Sequence, residues 1–398
     1  MARGRARWRG GAATAAVVAV VATVTPAGPA SAHPPVLAAS FASPGGQPLM
    51  RFGSAVSVSV GTAVVGSGGS SSVLVFEKTG STWSTTPAAT LDDPSTGPSH
   101  QFGSAVSVSG TSLVVGAPGE GPGGTAYVYT QTGGVWPAQP TVTLTDPRAT
   151  PGDGFGSAVA VSGSTAVVGA DLTGSRAGAA YLYTATAGTW STTPVPLVDP
   201  GGAPGDEFGS GVAVSSATAL VAADAAAGGN GSAFLYGQTH RQWSPDPVAT
   251  LADPGGPSAA FGFSVALGRG DAVVGAPNAG AGGAAYLYTE LHGVWPVTPS
   301  VTLADPGAAP GDDFGWSSAL SGSRAVVGSL FGSAGTGAAA VFTRAAGVWG
   351  PTASAAVADP SPAANDEFGA SVAVAGSAAL CGAPGAALQA GKAYLYSL

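Results

Sequence analysis

The chain has 398 residues, of which 45% are hydrophobic and only 9% charged, and its formal net charge is −8. So acidic and charge-poor a composition excludes nucleic acid and anionic membranes as partners, because both require clustered Lys and Arg. One cysteine, Cys381, excludes an intrachain disulfide, so stability has to come from packing.

Residues 1–32 read as a secretory signal peptide. Arg3, Arg5, Arg7 and Arg9 form a positive start, Ala12 to Val24 an apolar stretch, and Ala30-Ser31-Ala32 a small-residue cleavage site, with cleavage after Ala32. The apolar stretch is shorter than the roughly 20 residues a spanning helix needs, which favours a cleaved leader over an anchor. The expectation is a secreted, extracellular chain without membrane insertion. Loss of the four arginines moves the net charge from −8 to −12.

The rest, 33–398, reads as one domain, because a single phrase recurs along it. Phe-Gly appears at Phe52, Phe102, Phe155, Phe208, Phe261, Phe314 and Phe368, spaced 50, 53, 53, 53, 53 and 54 residues apart. A fixed period of this size marks a repeat architecture. Within the unit starting at Phe261, FGFSVALG, DAVVGAP and GGAAYLYTE are short apolar or alternating runs separated by Gly, Pro and Asn, and VWPVTPSVTLAD closes the unit. That pattern predicts four short antiparallel strands and no helix.

Both faces of such a sheet are apolar or small. Val159 and Val161 point one way, Ala158 and Ala160 the other, so each sheet must lie between two neighbours. A radial stack closed into a ring, a seven-bladed β-propeller of four-stranded antiparallel blades, satisfies this; a linear solenoid or separate domains would leave end units needing caps. Six units place a Trp in the expected fourth strand, at Trp83, Trp136, Trp190, Trp243, Trp295 and Trp349, followed by Asp-Pro at Asp93, Asp146, Asp199, Asp253, Asp305 and Asp359. The seventh stops at Leu398 without a fourth strand. Val36 to Phe41, followed by Ser43-Pro44, is placed to supply it and close the ring. The first unit, with Ser67 to Ser72 and Met50-Arg51 in place of the usual residues, is expected to be the least regular.

The elements FGxSVAV, VVGAP, GxAYLYT, Trp and LxDP resemble the FG-GAP repeat, the unit of the integrin α-subunit propeller and of many bacterial extracellular proteins with integrin-like repeats. The likeness covers about Pro35 to Leu398, with the GAP triplet at Gly116 to Pro118, Gly275 to Pro277 and Gly382 to Pro384 and varied at Gly169-Ala170-Asp171 and Gly328-Ser329-Leu330. The resemblance implies a propeller with no defined enzymatic activity and a role in cell adhesion or binding. The calcium loops of integrin repeats do not carry over. Turns such as Ser109 to Ser112 and Ser162 to Thr165 are too short and too poor in oxygen ligands for a six- to eight-coordinate ion.

Candidate ligand-binding residues precede Phe-Gly: Asp153, Asp206, Glu207, Asp312, Asp313, Asp366 and Glu367. They fall on one face of the ring and read either as a site for a cation or a cationic or hydroxyl-rich ligand, or as turn caps. His100-Gln101 and Ala259-Ala260 interrupt the series. Arg269-Gly270-Asp271, within GRGD, invites an adhesion reading but lies in a tight turn. His33, His100, His240 and His292 show no metal-ligand spacing, and no catalytic residue, metal site or cofactor is assigned. Cys381 in AALCGAP reads as a buried, inert thiol, and Trp316 is the aromatic outside the repeated pattern. The functional expectation is a secreted, monomeric, non-enzymatic module presenting loops to an extracellular protein or glycan. A hydrolase or lyase on a propeller scaffold and a lectin-like carbohydrate binder are the alternatives.

Overall fold

The alternation of valine with alanine or serine produces seven sheets in which inner and second strands are buried on both faces. A computed structural model describes residues 34–46, 48–69, 71–95 and 100–398. The leader reading of 1–32 lies outside the described residues, and no helix among them is long and apolar enough to cross a membrane. Each blade is an antiparallel meander, with inner strands at Phe52–Ser59, Ala105–Ser109, Val159–Ser162, Phe208–Ser215, Ser264–Leu267, Phe314–Ser321 and Ser371–Ala375. Ala158, Val159, Ala160 and Val161 all have no exposed surface, which is why a blade needs a neighbour on each side.

The ring closes as the chain ends require. Val36–Ala42 pairs antiparallel with Lys392–Ser397 and becomes the outer strand of blade 7. Phe41 is fully buried there and stacks on Phe76 of blade 1, with ring centroids 4.2 Å apart. Arg51 adds an ion pair of 2.7 Å to Glu367 across the same seam.

Adjacent blades are stitched together by the repeated residues. All seven Phe-Gly phenylalanines are at most 1% exposed, and most make a parallel bridge to a glycine in the link before the preceding blade's third strand. Gly178 shows why that residue is glycine: its φ is 88°, and a Cβ would sit 2.1 Å from the Phe208 carbonyl oxygen. Gly209, following Phe208, is equally constrained, with φ 93° and the Ala179 carbonyl 2.3 Å from a would-be Cβ. Third-strand tyrosines reach back to the previous blade. The Tyr183, Tyr236, Tyr288 and Tyr396 hydroxyls donate to the carbonyls of Thr145, Val198, Ala252 and Ala358, each just before an Asp-Pro, and the Tyr181 hydroxyl donates to Asp146 Oδ1.

Two details depart from expectation. The repeated Trp is not in the fourth strand: Trp83, Trp190 and Trp243 lie in two-residue ribbons at the end of the third strand, and Trp136, Trp295 and Trp349 lie outside strands. The outer strand is a separate short segment before Asp-Pro, such as Val301–Leu303. All six indoles are nonetheless buried, since the turn folds them against the blade edge. Blade 1 is the least regular among the described residues, as expected: its inner strand Phe52–Ser59 and outer strand Ala89–Asp92 are complete, but its second and third strands pair at four positions where the other blades pair at six, and Ser67 Oγ bonded to the Met50 carbonyl and Gly68 N to Ser54 Oγ hold the altered link. Finally, four links between second and third strands form one-turn elements, at Thr173–Arg176, Ala226–Gly229, Gly332–Gly335 and Ala386–Gln389, each containing consecutive left-handed residues.

Candidate functional site

The start of every inner strand, the link between second and third strands and the Asp-Pro turn share one face of the ring. Asp before Pro closes its own turn: Asp146, Asp199, Asp253, Asp305 and Asp359 each accept a bond from the amide two residues on. The aspartates two residues before Phe behave alike. Asp153 accepts from Thr150 N and Oγ1 at 2.5 and 2.6 Å, and Asp206, Asp312 and Asp366 accept from Ala203, Ala309 and Ala363 N at 2.7–2.8 Å. These four carboxylates therefore cap turns. Glu207, Asp313 and Glu367 occupy the left-handed position just before Phe, with φ of 60°, 57° and 57°. Glu207 pairs with Arg176 and Glu367 with Arg51. The ring of acids is thus a register, one blade apart, rather than a cluster.

The same face holds two carboxylates with no capping duty. Asp171 and Asp224 follow the second strands of blades 3 and 4, where blades 2, 5 and 7 carry the proline of the GAP triplet. Ser157 and Ser210, each directly after Phe-Gly, stand beside them and ease their ionisation. Even so, Oδ1 of both aspartates is buried outside any hydrogen bond of normal geometry, as are Ser157 Oγ and Thr173 Oγ1. Burial, opposed by Ser210 and aided by the charges of Glu207 and Asp171, pushes the Asp224 carboxyl up to about 6. Burial likewise raises Asp171, with Glu207 adding to the shift and Arg176 opposing it. Glu207 is the one residue of the expected set that joins this pair.

Continuing around the ring, the residue after Phe-Gly becomes Phe263 in blade 5 and Trp316 in blade 6. Their rings meet at a centroid distance of 4.5 Å, and both keep part of their surface exposed, unlike the six buried tryptophans of the repeat. Four consecutive blades thereby carry Ser157 with Asp171, Ser210 with Asp224, Phe263 and Trp316. No motif points to this arc. Its signal in the sequence is the loss of a repeated residue at matching positions of neighbouring units.

The FG-GAP repeat family matches the chain at residues 86–129, 140–183, 298–342 and 354–396, each match running from one outer strand through the next blade's third strand. The chain is an FG-GAP repeat propeller. Among solved structures it is similar to one titled streptogramin B lyase, at 10% identity and a TM-score of 0.51 over 88% of this chain and 94% of that one, a likeness of fold alone. A search of curated proteins found no match.

Elsewhere on the FG-GAP propeller, groups that suggest chemistry are held in structural roles. His100 takes the slot of a capping aspartate, and its Nδ1 meets both Asp93 Oδ2 and Ser95 Oγ at 2.7 Å. A proton relay needs the acid and the hydroxyl on opposite ring nitrogens, so this trio is no catalytic triad. Asp271 of the GRGD turn is 2% exposed, accepting from Thr289 Oγ1 at 2.8 Å and from the Arg344 guanidinium of the next blade at 2.9 Å, so it is not presented to a partner. Cys381 is fully buried, which pushes its thiol up to about 12. Among the described residues no three His, Cys, Asp or Glu side chains are grouped to hold a metal ion. The opposite face has a cleft of about 680 Å³ among the hairpins of blades 1–3, lined by hydroxyls including Ser59, Ser109 and Ser164. Ser59 and Ser109 Oγ there accept the Gly110 and Gly163 amides of the next blade.

Proposed function

We propose that this FG-GAP propeller is a secreted, monomeric, non-enzymatic binding module that meets an extracellular ligand on the face bearing Asp171 and Asp224. The observation carrying this reading is that Asp171 and Asp224 each bury an unbonded Oδ1 and close no turn, whereas Asp146, Asp199 and Asp359, which also bury an unbonded oxygen, hold a turn amide with the other, and the acids before Phe-Gly are engaged in turns or ion pairs. A buried acceptor left unpaired costs about 1–3 kcal/mol, and a ligand that pairs it recovers that cost. The repeated strands act as a rigid disc, and variation is concentrated at its surface: the position after the second strand runs Gly68, Pro118, Asp171, Asp224, Pro277, Leu330, Pro384. The charge balance points to a partner that is neutral or cationic rather than a polyanion.

The test is to probe protein and glycan arrays with residues 33–398, then incubate any captured ligand with the protein and analyse it. The reading expects a ligand that is bound, released unchanged, and competed by substitution on this face. Chemical conversion of the captured ligand would contradict it.

A further inference from the structure

We propose that blades 3 to 6 form a seat for a primary ammonium group carried on an aromatic or apolar body. This rests on the binding reading above and narrows it to one arc.

The groups facing the two aspartates are Glu207, Arg176, Ser157 and Ser210. Arg176 is already held by Glu207, so the two aspartates, each part-buried with its Oδ1 shielded from solvent, remain without a counter-charge of their own. An ammonium supplies three donors on one positive centre, which suits two carboxylates and a serine hydroxyl. A neutral hydroxyl ligand would bring donors but leave both charges uncompensated. Calcium asks for six to eight oxygens, and the grouped side chains here fall short of that number. The neighbouring positions then decide the rest of the ligand. Phe263 and Trp316 form a part-exposed aromatic pair at the same register in the next two blades, a surface that recognises a ring or alkyl body and whose π-faces favour an attached cation.

The experiment is calorimetry and tryptophan fluorescence with 2-phenylethylammonium at pH 7.5. Ethylammonium, 2-phenylethanol and calcium chloride are the comparators, and a peptide beginning with phenylalanine serves as a second source of the same chemistry. The seat predicts saturable binding of 2-phenylethylammonium or of the peptide, the tighter of the two naming the source. Removing the ring or the charge should weaken binding at least about tenfold, as should Asp171→Asn or Asp224→Asn, each a lost charge-assisted contact. Lowering the pH to 5 should weaken it about tenfold as Asp224 takes up its proton. Trp316→Phe should retain binding and lose the fluorescence change, and Glu290→Gln, beside the Gly270 hairpin turn on the opposite face of blade 5, should alter neither.

Equal binding of 2-phenylethanol, equal binding of calcium, or indifference to Asp224→Asn would overturn the seat. If no amine binds while an array ligand is captured on this face, the seat fails and the binding reading stands. If nothing is captured on this face, both fail.

Discussion

Two sets of aspartates share one face of this propeller and live under opposite conditions. Asp153, Asp206, Asp312 and Asp366 recur at one position of the repeat, and each holds an amide three residues earlier. Asp171 and Asp224 break the repeat: each keeps a buried Oδ1 outside any hydrogen bond of normal geometry, as the turn-closing Asp146, Asp199 and Asp359 do at Oδ2, but neither has a turn amide to hold. What recurs from blade to blade serves the fold, whereas what departs from recurrence is free to serve a ligand. The contrast predicts that changes at recurrent positions destabilise and that changes at departures are neutral or stabilising.

The largest effect belongs to the seam. Deleting residues 35–44 removes the outer strand of blade 7, exposes the edge of Lys392–Ser397 and uncovers the pocket of Phe41. Thermal unfolding should become broad or split into separate phases, and an unchanged single sharp transition would show that the termini do not bind the ring. Next comes Gly178→Ala, which drives a Cβ into the Phe208 carbonyl at a left-handed position. Denaturant unfolding should register a loss of about 3–5 kcal/mol, in the range of the severest single substitutions. Asp312→Ala, which strands the Ala309 amide, should cost about 1–2 kcal/mol by the same measurement. The smallest effect is a gain. Ala260 sits at φ 53° just before Phe261, so Ala260→Gly should stabilise by up to about 1 kcal/mol, and a loss would mean that its methyl group packs usefully.

Much of the architecture was legible in the sequence because strand, turn and closure each leave a local mark. Phe-Gly spacing counted the blades, Asp-Pro marked the turns, and the unmatched segment Val36 to Phe41 pointed to the seam. Placement of the Trp failed for a physical reason: Thr82–Trp83 and Ala89–Asp92 are two short pairings onto one strand, and a Trp near an Asp-Pro looks the same whether or not it lies in the longer of them. The left-handed links escaped notice because residues such as Leu388, at φ 61° and 85% exposed, do not advertise that conformation. Asp171 and Asp224 were visible only as imperfect GAP triplets. Their significance depends on burial and on Glu207 and Arg176 arriving from neighbouring segments, which spacing does not convey.

The direct measurement is the stability of wild type against the Asp171→Asn, Asp224→Asn double variant as a function of pH. With the Asp224 pKa raised from 3.8 to about 6, the folded state binds a proton more readily than the unfolded chain, so this group favours folding as pH falls from 7 through 6 towards 4. Its share of that gain is at most about 3 kcal/mol at 1.36 kcal/mol per pKa unit. Wild type should therefore gain stability relative to the double variant on acidification, and at pH 7 the double variant should be the more stable protein. Parallel pH profiles for the two proteins, or a double variant less stable at pH 7, would contradict the claim that these carboxylates are held uncompensated.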